Sequence, residues 1–353
     1  MTSAQSGGDG NRQHGVLKHY LPILQWLPQY QVAWLRYDVV AGLALWAVLV
    51  PTSMAYAGIA GVPPLIGLYS VPIPLIAYAI FGTSRTMVIG PDSATALISG
   101  ATVGALVSQG SADFTALTSA LAMTIGVFFL VSGLLRMGWV ANFIPEPAMK
   151  GFIQGLVWVT VIGQVPKLFG ITGGDGNFVE KLWDIVVKLP DANLATTIVG
   201  VTSLALLFAL KKFLPRLPAA LIAVALAVIA VMLLDLDKKG VTIVGIQKAG
   251  LPPFGVPHVS FADLKAIIPG ALAIVLIGYA ESLGAAKAAA AKLGGKIDPN
   301  QELVSHGPAN LGSAFCSGFV VVGSLSKTSV AMDAGGKTQL SNLVSAMFVF
   351  LTL

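Results

Sequence analysis

Charge is scarce in this chain. Only 10% of its 353 residues are Asp, Glu, Lys or Arg, against roughly 25% in soluble domains. Cysteine is nearly missing: Cys316 alone excludes an intramolecular disulfide and a thiolate metal cluster. Histidine is sparse as well. His14 and His19 lie near the N-terminus, His258 in a polar stretch and His306 by itself, so no HExxH or spaced Cys/His set exists. No Ser/His/Asp set for acyl transfer is visible. Gly173-Gly174-Asp175-Gly176 lacks the strand and the Lys-Ser/Thr of a phosphate loop and reads as a turn. Residues 1–13 are polar and Gly-rich without an apolar core, which predicts a cytoplasmic tail and no cleavable signal peptide. An enzyme and a cofactor are thus not expected.

What the chain has instead is apolar length. It is 55% hydrophobic, with a mean hydropathy of +0.81, and its apolar runs approach the ~20 residues that a helix needs to cross a bilayer. The class is an all-α polytopic membrane protein. The formal charge of +5 requires no nucleic acid, because Lys and Arg concentrate in the cytoplasmic loops of such proteins.

In order, 1–38 reads as a cytoplasmic tail plus an interfacial segment marked by Trp26, Tyr30, Trp34 and Tyr37. Spans are predicted at 39–60, 65–81, a helix to about 107, 114–135, 148–165, 194–209, 219–234, 267–290 and 303–319. The last apolar run, 343–353, is too short to cross, so the sequence is expected to stop within a span. Arg36, Arg85, Arg136, Lys211, Lys212, Arg216, Lys287, Lys292, Lys296 and Lys337 fall on one side if the N-terminus is cytoplasmic.

Two kinds of interruption recur. The span 39–60 contains Pro51-Thr52-Ser53, and 267–290 contains Tyr279-Ala280-Glu281-Ser282-Leu283-Gly284; both are predicted as kinks or breaks. Met87-Val88-Ile89 followed by Gly90-Pro91-Asp92-Ser93 predicts a strand and then a half-helix, and so does Val320-Val321-Val322-Gly323 followed by Ser324-Leu325-Ser326-Lys327. Matching interruptions in two halves point to an inverted-repeat transporter with a midplane site, here 39–235 and 265–353 joined by an extracytoplasmic loop at 236–264. Two helix N-termini, each carrying roughly +0.5 charge, together with Lys327 make a pocket for an anion. Glu281 is either a structural carboxylate or a proton-coupling group. Asp92 is either an N-cap, paired with Lys327, or a second protonatable site. Glu302 and His306, four apart, are expected to make interhelical hydrogen bonds, and Glu146 to sit in a loop or cap.

Several motifs carry a resemblance. Pro51-Thr52-Ser53-Met54-Ala55-Tyr56-Ala57, Gly67-Leu68-Tyr69-Ser70, Phe81-Gly82-Thr83-Ser84-Arg85, Asn300-Gln301-Glu302-Leu303, Gly307-Pro308-Ala309-Asn310 and Gly323-Ser324-Leu325-Ser326-Lys327-Thr328 resemble the sulfate permease (SulP) family. That resemblance implies about fourteen segments in two inverted repeats of seven, split into core and gate domains. It further implies a homodimer in the cell membrane and a C-terminal STAS domain, which is not expected within these residues. The implied function is alternating-access transport of sulfate, bicarbonate, chloride or dicarboxylates, with a proton as partner through Glu281. The alternatives are a passive channel or anion sensor, and a nucleobase–cation symporter of the same fold. Carried over position by position, the substrate pocket is Thr52, Tyr56, Gly90, Pro91, Asp92, Ser93, Ser324, Leu325, Ser326 and Lys327.

Overall fold

The computed structural model describes residues 20–143, 146–174, 177–214, 219–243, 245, 250–293 and 295–353. After a one-turn helix at Ile23–Trp26 come α1 (Leu35–Ala60), α2 (Pro64–Tyr69), α3 (Pro72–Phe81), β1 (Val88–Gly90), α4 (Ser93–Gly104) and α5 (Ala112–Leu134). Next are α6 (Glu146–Phe169), α7 (Phe178–Lys188), α8 (Leu194–Phe213) and α9 (Ala219–Leu233). The remainder is α10 (Phe261–Ala266), α11 (Ile268–Leu293), α12 (Pro299–Phe315), β2 (Val322–Ser324), α13 (Leu325–Asp333) and α14 (Leu340–Thr352). Among the described residues, five helical stretches are long and apolar enough to cross a membrane: Val32–Ala60, Pro64–Phe81, Ala112–Leu134, Leu194–Phe213 and Ile268–Leu293. The chain is a multi-pass membrane protein.

Contacts divide it into two units, Met1–Ile144 with Ala249–Leu353, and Pro145–Lys248. The second unit holds α6 to α9, in which α8 packs on α6 and on α9. Glu146 opens α6, and Asp175 and Gly176 of the glycine-rich turn lie outside the described residues.

The first unit holds every residue of the anticipated pocket. Its helices approach closely where side chains are smallest. A Cβ on Gly133 of α5 would stand 2.6 Å from Val304, and one on Gly307 of α12 would stand 2.5 Å from Leu130. Small residues at such crossings let membrane helices pack backbone to backbone. At Gly67 a Cβ would meet the Ser53 carbonyl oxygen at 2.1 Å, which sets α2 flush against α1.

Two anticipated breaks are absent. Helix α1 runs unbroken through Pro51, and α11 runs unbroken through Glu281. Proline removes one N–H donor and crowds the carbonyl one turn back, here that of Ala47. A membrane helix absorbs that loss when neighbouring groups resupply the bonds. Beside Pro51, the Thr52 hydroxyl donates to the Val48 carbonyl at 2.7 Å. A discontinuity falls instead in the predicted span 65–81, where Ser70 and Val71 separate α2 from α3. The predicted span 303–319 is shifted too, since α12 ends at Phe315 and the chain then runs extended to β2.

Both strand-then-helix predictions hold. β1 and β2 pair antiparallel, with Val88 opposite Ser324, Ile89 opposite Gly323 and Gly90 opposite Val322. Because the ladder is antiparallel, α4 and α13 start from its opposite ends. Two short buried strands leave many backbone groups to satisfy, and side chains take them. The Asn310 amide donates to the Val321 carbonyl at 2.9 Å and accepts from the Val321 N–H at 3.0 Å. Ser70 Oγ accepts from Phe319 N–H at 2.8 Å, and Ser313 Oγ donates to Phe319 O at 2.6 Å. Thr328 Oγ1 accepts from Val88 N–H at 3.0 Å. The Met87 carbonyl receives both Gln339 Nε2 at 3.1 Å and Asn342 Nδ2 at 2.9 Å.

Asn310→Leu strands one donor and one acceptor in the interior, each worth about 1–3 kcal/mol. The expected outcome is a clear fall in the thermal unfolding midpoint of the detergent-solubilised protein. Lys287→Ala, on the exposed side of α11, should leave the midpoint in place.

Candidate functional site

The ladder positions the site. Gly323 and Gly278 let α11 lie against β2: a Cβ on Gly278 would sit 2.6 Å from Val322, and one on Gly323 would sit 3.1 Å from the Ser282 Cα. Ser282 completes the joint, donating to Gly278 O at 2.6 Å and accepting from Gly323 N–H at 2.8 Å. Its neighbour Glu281 is thereby fixed beside the ladder, half-buried.

The two helix starts differ in kind. At α4, Asp92 is the N-cap with extended backbone, and its Oδ2 accepts from Ala94 N–H at 3.2 Å. That end is therefore already served by a carboxylate. At α13 the N-cap Ser324 makes no side-chain capping bond. Its Oγ lies 3.1 Å from Ser326 Oγ, leaving the first amides of α13 open to a ligand. The sequence suggested two equivalent donor ends; the structure has one open end and one capped end.

Lys327 joins the two. It is 2% exposed, its Nζ donates to the Pro91 carbonyl, and the ammonium stands 5.1 Å from the centre of the Tyr56 ring. Such a placement adds a cation–π attraction. The anticipated direct ion pair between Lys327 and Asp92 is not among the contacts of the described residues, since the lysine's hydrogen bond goes to a carbonyl. Asp92 and Glu281 both lie within electrostatic reach of Lys327, and Glu281 makes no hydrogen bond or ion pair among the described residues. Three charges thus share one small region, two of them negative.

The remaining candidates fall around this trio. Thr52 sits one helical turn before Tyr56, with its hydroxyl spent on Val48 O. Gly90 ends β1 and is buried, as is Pro91; Ser93 opens α4 and is half-buried. Leu325 is 53% exposed and Ser326 is exposed, so the open start of α13 is accessible.

Glu302 makes the anticipated interhelical bond, whereas His306, among the described residues, bonds only within its own helix and its Nε2 is buried without a partner. Glu302, fully buried, accepts from Tyr78 Oη at 2.8 Å, Thr83 N–H at 2.9 Å and Thr83 Oγ1 at 2.5 Å. His306 Nδ1 lies 2.7 Å from the Glu302 carbonyl, and its ring sits 5.2 Å from that of Phe129. Sequence reasoning missed Asp38. It is completely buried and receives Lys337 N–H at 2.6 Å, Thr338 N–H at 3.0 Å and Thr338 Oγ1 at 2.7 Å, tying the start of α1 to the approach to α14. Its position among interfacial aromatics hid it, although a lone acid at the mouth of an apolar run was a usable signal.

Residues 35–353 match the sequence model of the sulfate permease family. The chain belongs to that family. A probable sulfate transporter of Mycobacterium tuberculosis is 35% identical over 325 residues, covering 92% of this chain and 58% of the relative. Human pendrin is 30% identical, covering 97% of this chain and 48% of pendrin. The chain therefore spans about half the length of these relatives. Among solved structures, the murine Slc26a9 anion transporter in its inward-facing state superposes with a TM-score of 0.89 at 26% identity, over 99% of this chain and 60% of that one. The transmembrane domain of the cyanobacterial bicarbonate transporter BicA gives 0.81 at 22% identity, over 92% and 83%, and attests the fold.

The cap assignment makes a prediction. Asp92→Asn keeps an oxygen for Ala94 N–H and should leave the unfolding midpoint nearly unchanged, whereas Asp92→Ala should lose about 1 kcal/mol. Equal loss in both variants would mean that the charge, and not the cap, holds this end.

Proposed function

We propose that the chain is the membrane portion of a proton-coupled symporter for small anions of the sulfate, bicarbonate, chloride or dicarboxylate class, working by alternating access. The observation that carries this reading is the charge balance around Lys327. With Asp92 and Glu281 both ionised, the region is net negative and repels an anion. Asp92 is held at the α4 cap, while Glu281 has no partner that fixes its charge. Protonating Glu281 brings the region to neutrality, so that the arriving anion meets Lys327 and the open amides of α13 with one opposing carboxylate fewer. Binding of the two ions is then mutually favourable, and linkage makes that coupling reciprocal.

In this reading the substrate site is Thr52, Tyr56, Gly90, Pro91, Asp92, Ser93, Ser324, Leu325, Ser326 and Lys327, with Glu281 as the coupling group. Lysine supplies a point charge and no bidentate fork, which suits anions of varied shape. The inverted repeats at 39–235 and 265–353, a homodimer, a cytoplasmic N-terminus in the cell membrane and a core moving against a gate complete the proposal. The family likeness and the antiparallel ladder support it.

Proteoliposome uptake of labelled sulfate, bicarbonate and fumarate, with and without an inward proton gradient, tests the proposal. Uptake should rise with the gradient in the wild type, and Glu281→Gln should carry anion with no response to it. Lys327→Ala should weaken half-saturation by at least about tenfold, the equivalent of one charge-assisted hydrogen bond. Gradient-independent flux in the wild type would favour a passive channel, and unaltered affinity in Lys327→Ala would remove the pocket assignment.

A further inference from the structure

Between the predicted spans 148–165 and 194–209 the sequence assigned no element, and the structure has α7 there, an 11-residue helix. It starts at a complete capping box. Asn177 Oδ1 accepts from Val179 N–H at 3.0 Å and from Glu180 N–H at 3.1 Å, while Glu180 Oε2 accepts from Asn177 N–H at 2.8 Å. Lys188 closes the other end, donating to Asp184 Oδ2 at 2.8 Å and to Thr172 O at 3.4 Å. Both ends are thus fixed by polar groups.

The apolar residues of α7 face outward. Val179, Leu182, Trp183, Val186 and Val187 follow the i, i+3, i+4, i+7, i+8 spacing of one helical stripe. In a soluble domain that stripe is the buried one. Here all five are exposed, Trp183 to 69%. Ile185 is the buried residue of the helix, and α7 packs on α6. Glu180, Lys181, Asp184 and Lys188 share the opposite side, where two acids and two bases cancel.

Position in the fold says what covers the stripe. Asn193 N–H donates to Phe169 O at 2.9 Å, which joins the start of α8 to the end of α6. Helix α8 is long and apolar enough to span, and no residue of its apolar stretch is buried within the chain. That exposed wall begins at Leu194, shortly after the exposed Val187 and Leu189 of the α7 end, so stripe and wall are continuous. Helix α7 is only ~16 Å long against a hydrocarbon core of ~30 Å, so it cannot cross. A stripe of that length and ~10 Å width also falls far short of the ~800 Å² per partner of a stable protein interface.

We infer that α7 lies in the plane of the membrane, with Val179, Leu182, Trp183, Val186 and Val187 sunk into the headgroup–acyl boundary of the lipid. Trp183 suits that boundary because its ring is amphipathic. The polar side is neutral, so apolar burial docks the helix and anionic lipid is not required. Docking anchors the connection between α6 and α8 at the membrane surface, whichever anion is transported.

The full chain carrying Cys316→Ser, which removes its one cysteine, is reconstituted in nanodiscs with single nitroxide labels. Collisions with oxygen and with a water-soluble nickel chelate give the depth of each label. Labels on Val179→Cys, Trp183→Cys and Val186→Cys should lie about 5–10 Å below the headgroup boundary, and one on Lys181→Cys above it. The depths should be the same in phosphatidylcholine alone and with phosphatidylglycerol added. Val179→Ser with Trp183→Ser should lift the label at 186 toward water. Free access of nickel to the stripe labels overturns the inference, and so does insertion only when phosphatidylglycerol is present. Labels shielded from both reagents, with dipolar broadening between protomers, overturn it in favour of a second copy. A check that keeps the native cysteine is quenching by lipids brominated near the headgroup end of their chains. Such lipids should quench more tryptophan emission in the wild type than in Trp183→Phe, and equal quenching overturns the inference.

Discussion

Backbone that is neither helical nor solvated needs a partner for every N–H and carbonyl, and in a bilayer there is no water to supply one. That requirement governs the first unit. Its two strands, Val88–Gly90 and Val322–Ser324, pair with each other, but three residues of ladder satisfy only part of the extended chain. Asn310, Ser70, Ser313, Ser282, Thr328, Gln339 and Asn342 supply further partners from five other places in the sequence. Each of those bonds also fixes a helix to the ladder. The polar residues of this apolar protein are thus the joints that hold its spans in register.

The same joints produce the site. Ser282 fastens α11 to β2, and Glu281 follows it to the ladder. Thr328 fastens α13 to β1 through the Val88 N–H, and Lys327 follows it to the Pro91 carbonyl. Lys327 offsets part of the cost of each carboxylate, while the two carboxylates oppose one another. The inequality of the two helix ends matters here. A carboxylate occupies the start of α4 and leaves the start of α13 open, so the positive side of the site is α13 with Lys327, and the negative side is α4 with Glu281.

Much of this was legible in the sequence, and the reason is local. The β-branched run ending at Gly323, and the shorter one ending at Gly90-Pro91, name a strand and a helix start in adjacent residues. Glu281 and Lys327 stood out because a charge in an apolar run is rare. What could not be read is pairing at a distance: Asp38 with Thr338 and Asn310 with Val321 depend on the folded path, and only the oddity of a polar residue in a span hints at them. Pro51 misled for a physical reason. Proline disturbs only the turn before it, at the Ala47 carbonyl, and here the helix continues through that turn. Glu281 likewise sits in unbroken helix, because Gly278 and Ser282 give the ladder its close approach without unwinding a turn.

The central claim is that one proton joins the site with each anion. Calorimetric titration of the purified protein with substrate, in buffers of different ionisation enthalpy at one pH, counts the protons taken up on binding. The account predicts uptake approaching one proton per anion in the wild type at a pH where empty Glu281 is ionised, and none in Glu281→Gln. Anion binding with no proton uptake in the wild type across the pH range would contradict it.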